Sequence, residues 1–330
     1  MLWGIGADGP LAAVRRALER SEVPFAFIDQ HALVDSAMTL TCDGTAGGTL
    51  RSPNGDVRLD EVTAAFLRPY DPRRILREQG LDAGSCTWQV ALEYEDLLSC
   101  WSEITTALVV NRPSAMASNN SKPYQTRLVE QHGFAVPETL LTTDVDAVAD
   151  FRSRHQVIYK SMSGIRSIVS RIRDDDVVRL GDIANCPTQF QRYVQGTDVR
   201  VHVIGDEIFA CEVRSDADDY RYPQEPSNIA DVTTLALPND IRERCGRLAT
   251  ALRLPLAGID LRRTQQGEWY CFEVNPSPGF TFFEDATGQP IADAVGRLLA
   301  SPARESATRN AVDETPTVCD TQLTRRDDLS

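Results

Sequence analysis

Residues 258–279 read GIDLRRTQQGEWYCFEVNPSPG, and the fold turns on them. Two flanks rich in β-branched and aromatic residues, AGIDLRR and EWYCFEVN, are separated by Thr264-Gln265-Gln266-Gly267, where glycine supplies the positive φ of a tight turn. With Gln266-Gly267 as the loop, Gln265 faces Glu268 and, further out, Asp260 faces Glu273. Side chains alternate along a strand, so Asn275 falls on the face of Glu273, and Asp260, Glu273 and Asn275 converge. Carboxylates facing each other across a ladder lie about 5 Å apart at Cβ, a repulsion of roughly 3 kcal/mol at an effective dielectric of about 20. A hard divalent cation offsets it, because all three side chains offer the oxygen ligands that Mg²⁺ or Mn²⁺ takes. The alternative is a surface hairpin whose acids point into water or pair with Arg262 and Arg263. The proline-locked exit Asn275-Pro276-Ser277-Pro278-Gly279 favours the metal, since an ordinary solvent-facing strand end needs no such rigid loop.

A net charge of −14 argues against a nucleic-acid partner, which binds through Lys and Arg on its phosphates. The start MLWGIGADGP has no signal-peptide character and about 18 apolar residues nowhere run together, so no membrane partner and a cytoplasmic location are expected. The eight cysteines form no CxxC and are expected as reduced core residues. The chain is long enough for several lobes sharing a sizeable core.

The first part of the chain reads as an α/β unit. LWGIGADGP is a strand and a glycine-containing turn, LAAVRRALERS an amphipathic helix, and VPFAFIDQ a second strand; no dinucleotide site is expected at Gly4, Gly6 and Gly9. Residues 39–58 alternate and carry a hairpin signal at Asn54-Gly55. VTAAFLRPYDPRR is a strand ending at Arg68, which either meets an anionic substrate or pairs with an aspartate at a surface turn. Residues 88–107 form a helix with Leu92, Leu97, Trp101 and Ile104 available for burial. A helix from Lys122 to about His132 stops at Gly133. VIYKSMSGIRSIVSRI then gives a strand ending at Lys160, a Ser/Gly loop able to offer N–H groups to an anion, and another strand. TQFQRYVQGTDVRVHVIGDEIFACEVRSD is β throughout with a turn at Gly205-Asp206, and helices follow at 238–252 and 290–299.

In this order the pieces resemble the ATP-grasp superfamily, and within it the carboxylate–amine ligases similar to the ribosomal-S6 glutamate ligase (RimK-like) and the microviridin-type peptide ligases. The resemblance covers roughly residues 110–300. It implies an α/β chain with an N-terminal pre-grasp domain at 1–112 and α+β subdomains at 113–190 and 191–302 clasping ATP; the 303–330 stretch, almost without large apolar residues, is expected as a disordered tail. It implies that Lys122 and Lys160 hold phosphates and that Ser163 and Gly164 lie in the loop covering them. Gln191, Arg192, Tyr193 and Val194 would line adenine, with backbone groups at 192 and 194 making most contacts, and Asp198 would meet the ribose. Arg200 and Arg214 would stabilise the reacting oxyanion, and Asp260, Glu273 and Asn275 would carry Mg²⁺ (or Mn²⁺). Arg68, Tyr70, Ser277 and Gly279 are candidates for the substrate side. The implied reaction is ATP-dependent joining of a carboxylate to an amine on a small molecule or peptide. A kinase and a catalytically silent nucleotide-binding regulator are the alternatives, and a homo-oligomer is allowed. Gln191 departs from the acid usual at the hinge, and the phosphate loop holds a single glycine.

Overall fold

Leu2 and Trp3 are both buried, on opposite sides of the strand Leu2–Gly4, as expected of a parallel sheet covered on two faces. The computed structural model describes residues 1–42, 46–161, 170–215 and 231–301. Phe27–Asp29, Leu2–Gly4, Ala64–Arg68 and Leu108–Val110 lie side by side in that order, all parallel. One face, with Leu2, Phe66 and Val110, packs on the helix Gly9–Arg20 and on Leu256, Phe280, Phe283 and Val295 from the far end of the chain. A single core therefore joins the first strands to the last helices. The other face, with Trp3, Leu67 and Val109, packs on the helix Cys86–Ile104.

Among the described residues three antiparallel sheets accompany the parallel one, and two of them carry the site residues beyond the first unit. A four-stranded sheet runs Ser170–Arg171, Val157–Ser161, Thr188–Arg192, Thr139–Thr142. Tyr159, Phe190 and Leu140 pack on the helix Val145–Arg154 through Val148 and Phe151. By alternation its other face carries Lys160 directly opposite Gln189, with Gln191 two residues on. A five-stranded sheet runs Asp231–Thr234, Glu207–Arg214, Thr197–Ile204, Leu256–Arg263, Trp269–Asn275. Val199, Val201, Ile259 and Leu261 pack on the helix Asn239–Ala251, so Asp198, Arg200, His202 and Asp260 belong to the opposite face. The turn at Gly205-Asp206 forms as expected, with Gly205 at φ +54°.

Several expectations are corrected. The hairpin near Asn54 turns at Pro53-Asn54, because Ser52 pairs with Gly55 in a three-stranded antiparallel sheet. The helix Cys86–Ile104 leaves Leu97 and Ile104 exposed and buries Trp88, Ala91, Tyr94, Leu98 and Trp101. The bulkier aromatic residues set the buried stripe. Cys211, Cys245 and Cys271 are buried, but Cys42, Cys86, Cys100 and Cys186 are exposed; all seven are free thiols. A short helix, Thr281–Thr287, follows the proline-locked loop where no helix was expected. The phosphate-loop residues Ser163 and Gly164 and the 303–330 tail lie outside the described residues.

Glu95 is buried on the helix Cys86–Ile104, where its Oε1 accepts 2.7 Å from Gln30 Nε2. Burial pushes its carboxyl up to about 8 against a bond from Gln30 that lowers it. A carboxyl whose folded pKa lies above its unfolded value supports the fold fully at acid pH and loses that support as pH rises through the folded pKa. Unfolding free energy should therefore fall between about pH 4.5 and pH 8 by on the order of 4 kcal/mol from this group and then level off. In Glu95→Gln that component vanishes, which denaturant titrations of both proteins at acid and alkaline pH would read; equal pH slopes would contradict it.

Candidate active site

The hairpin Leu256–Arg263 and Trp269–Asn275 sets Asp260 directly opposite Glu273 and Gly258 opposite Asn275. The route to that pairing differs from the expected one. Arg263 faces Trp269 and Thr264 N–H bonds Glu268 O at 2.9 Å, so the turn is one residue out of the expected register and Gln265 does not face Glu268. A bulge at Phe272 absorbs the difference, since Leu261 pairs with Cys271 while Asp260 pairs with Glu273. Asn275 Oδ1 accepts from Ser277 N–H at 2.9 Å, which folds the exit loop back on its own amide.

Neither carboxylate pairs with the hairpin's own arginines. Asp260 Oδ1 accepts from Arg200 Nη1 at 2.5 Å, and Glu273 Oε1 forms an ion pair with Lys122 Nζ. Arg262 holds Asp198 through Nε at 2.7 Å and Nη2 at 2.9 Å, and Arg263 reaches Glu212. Lys122 stands at the first residue of the helix Lys122–Gln131. Gln125, one turn later and buried, grips the strand Trp269–Asn275 by donating 2.8 Å to Val274 O and accepting 2.9 Å from Val274 N–H. That amide clamp fixes where Lys122 meets Glu273. Asn111 does the same for the exit loop, donating to Pro276 O and to Leu256 O and accepting from Leu256 N–H at 3.2 Å.

On the four-stranded sheet, Lys160 and Gln191 are both buried. Gln191 Nε2 donates to Thr139 Oγ1 at 3.0 Å while its Oε1 has no hydrogen-bond partner among the described residues. The Arg192 N–H already bonds Glu138 O at 2.9 Å, and Val194 O accepts from Arg262 Nη1 at 2.8 Å. At each of these two residues, whose backbone is expected to meet a nucleobase, one backbone group is thus engaged within the protein. The guanidiniums of Arg171 and Arg262 lie over the Tyr193 ring, 5.1 and 5.8 Å from its centre.

Arg68 emerges from the C-terminal end of its parallel strand, where such sheets present ligand-binding groups. Its partner is Asp8 at 2.6 Å, and its Nη1 donates to Ser277 Oγ at 3.0 Å and Pro278 O at 3.2 Å. Tyr70 Oη also donates to Asp8, at 3.0 Å. Arg68 and Tyr70 thus meet on one carboxylate and Ser277 joins them through Arg68, while Gly279 is exposed just beyond. Asp8 was passed over in the sequence, although its place before Gly9-Pro10 marks an N-cap; it accepts from Leu11 N–H at 2.9 Å. Residues 4–9, GIGADG, do spell GxGxxG between strand and helix, but the helix N-terminus is occupied by Asp8's own carboxylate. Asp8→Ala should cost about 3–5 kcal/mol, the penalty for leaving a buried charge unpaired, measured as a loss of unfolding free energy. A change below about 1 kcal/mol would mean the pair is solvated.

Comparison with known proteins now decides the family. The RimK-like ATP-grasp domain matches residues 118–299, more than half of the chain. The chain belongs to the RimK-like ATP-grasp family. It is 25% identical over 219 residues to a probable alpha-L-glutamate ligase of Shewanella loihica, covering 63% of this chain and 72% of that protein. To the same-named protein of Chromohalobacter salexigens it is 27% identical over 205 residues, covering 58% and 67%. Among solved structures it superposes on the ATP-grasp ligase PsnB complexed with minimal precursor at a TM-score of 0.75, with 22% identity over 92% of this chain and 98% of that one. The macrocyclase MdnC of Microcystis aeruginosa, bound with precursor peptide MdnA, gives 0.74 and 18% over 91% and 98%. PsnB has also been solved with Mg and ADP. These structures establish an ATP-grasp fold, and the family's chemistry is ATP-dependent ligation of a carboxylate to an amine.

Within this ATP-grasp ligase, Asp260, Glu273 and Asn275 present hard oxygen donors only, which fits Mg²⁺. The fit depends on the asparagine, because among the described residues no group of three or more His, Cys, Asp or Glu could hold a metal. Arg214 does not join Arg200. It bonds Glu212 at 2.7 Å and shares that residue's face of the sheet, whereas Arg200 lies on the other; alternation along the strand separates the two by face. Among the described residues no helix is long and apolar enough to cross a membrane.

Proposed function

We propose that this ligase activates a carboxylate with ATP as an acyl-phosphate and transfers the acyl group to an amine, on a peptide or a small molecule. The observation that carries the reading is the ion pair between Lys122 and Glu273. It joins a residue expected at the phosphates to one expected at the metal, 151 positions apart in the chain. Asp260, Glu273 and Asn275 would hold Mg²⁺ (or Mn²⁺), which supplies neutralisation of the β- and γ-phosphate charge. Lys122 and Lys160 hold phosphate oxygens as point charges. The Gln191 Oε1 lone pair is the acceptor for an adenine amino group, and Asp198, oriented by Arg262, faces the ribose. Arg200 stabilises the oxyanion as the amine adds. Arg68, Tyr70, Ser277 and Gly279 border the acceptor. A peptide substrate is favoured because the solved relatives PsnB and MdnC carry precursor peptides.

The test is ADP release with pooled amino acids and peptides. Release that requires both a carboxylate and an amine, with inorganic phosphate as co-product, supports ligation. A stable phosphorylated product would instead make the protein a kinase, and tight ATP binding without turnover would make it a regulator.

A further inference from the structure

His202 is the one histidine of the chain's four that is fully enclosed, with 1% of its surface exposed. It lies two residues after Arg200 on the strand Thr197–Ile204, on the same face, and opposite Gly258. Phe283 and Phe280 wall it in at ring-centre distances of 5.2 and 6.5 Å. Its Nε2 lies 3.3 Å from Arg200 Nε. A guanidinium only donates, so Nε2 carries the lone pair and the ring proton sits on Nδ1. Burial, and secondarily the neighbouring Arg200 charge, hold the imidazole in its neutral form by pushing its pKa well below the ordinary value.

The other sides of Arg200 are equally defined. Nη1 bonds Asp260, Cζ lies 5.5 Å from the Phe283 ring centre, and Nη2 crosses directly over Gly258 against Pro278. Among the described residues around Arg200, Asp260 is a member of this cage that a metal ion or phosphate would compete for. Neither the Nε bond nor the aromatic wall involves Asp260.

We infer that His202 is a positioning residue, whose Nε2 tethers Arg200 so that its two terminal nitrogens stay aimed at Asp260 and the 276–278 loop through a reaction cycle. The inference rests on the role proposed above for Arg200, yet the tether itself can be tested apart from it. Long-range proton–nitrogen imidazole spectra of the full chain should show His202 as the Nδ1–H tautomer. Its shifts should stay fixed across the range around pH 6.5 in which free imidazoles titrate, and Arg200→Met should displace the Nε2 resonance. A protonated Nε2, or a His202 spectrum indifferent to Arg200→Met, would overturn the tether.

Turnover then tests its purpose. His202→Phe should lower magnesium-dependent ADP release about 10- to 100-fold, the scale of a misplacement near 1 Å, with ATP affinity unchanged. His202→Gln should recover most of the loss, because its amide oxygen accepts the same N–H; denaturation midpoints of both variants separate misfolding from misplacement. Full turnover in a folded His202→Phe protein, where Arg200→Met is inactive, would overturn the positioning role alone. Full turnover in Arg200→Met would instead refute the proposed role of Arg200, leaving the spectra to decide the tether.

Discussion

Glu273→Gln is expected to lower magnesium-dependent ATP turnover by about 10²–10³-fold, the usual loss when one charge-stabilising group is removed from a reacting centre, while the protein stays folded. The side chain keeps its shape and one oxygen, and strand pairing with Asp260 is made by backbone. What disappears is the negative charge that now faces Lys122 and that a divalent cation requires. The substitution takes the ion-pair partner from Lys122, but the new amide oxygen and Asn119 Oδ1 still accept from its ammonium, so the loss of stability should stay within about 1–2 kcal/mol. Steady-state ADP release and a denaturant titration measure the two effects separately. Unaltered turnover would remove Glu273 from the metal site.

The second large effect is expected at Gly258. An added Cβ there overlaps the Arg200 guanidinium and the Pro278 ring. Ordinarily a long side chain swings aside, but Arg200 is fixed at Nε by His202 and at Nη1 by Asp260, and Pro278 belongs to a loop held through Arg68 and Asn111. Gly258→Ala should therefore reproduce the turnover loss of Arg200→Met, and overpacking should cost about 1–3 kcal/mol of stability. Turnover within about twofold of wild type would show that the guanidinium has room elsewhere and that its observed position is not required.

The facing acids were legible in residues 258–279 because strand alternation and a glycine turn are local rules, and a register error at the turn was cancelled by the bulge at Phe272. The helix Lys122–Gln131 and its glycine stop, the strand ending near Lys160 and the turn at Gly205 were readable for the same reason. What was not readable is the set of side chains whose meaning lies in a partner far along the chain. Gln125 looks like any helix glutamine until it meets Val274, and Asn111 like a loop residue until it meets Leu256 and Pro276. Asp8 and Arg68 are 60 residues apart in sequence and ion-paired in space. Arg214 failed for a simpler reason, because its strand was known but not which face met Arg200. The exposed Leu97 and Ile104 show that periodicity finds a stripe without deciding which of two neighbouring stripes the core will take.

The central claim is that Asp260, Glu273 and Asn275 bind a divalent cation together with the nucleotide held by Lys122 and Lys160. The most direct measurement is Mn²⁺ binding, followed by electron paramagnetic resonance, with a non-hydrolysable ATP analogue present. The wild-type protein should immobilise Mn²⁺ with the analogue, and Glu273→Gln should lose that bound signal while remaining folded. An unchanged Mn²⁺ signal in Glu273→Gln would contradict the account.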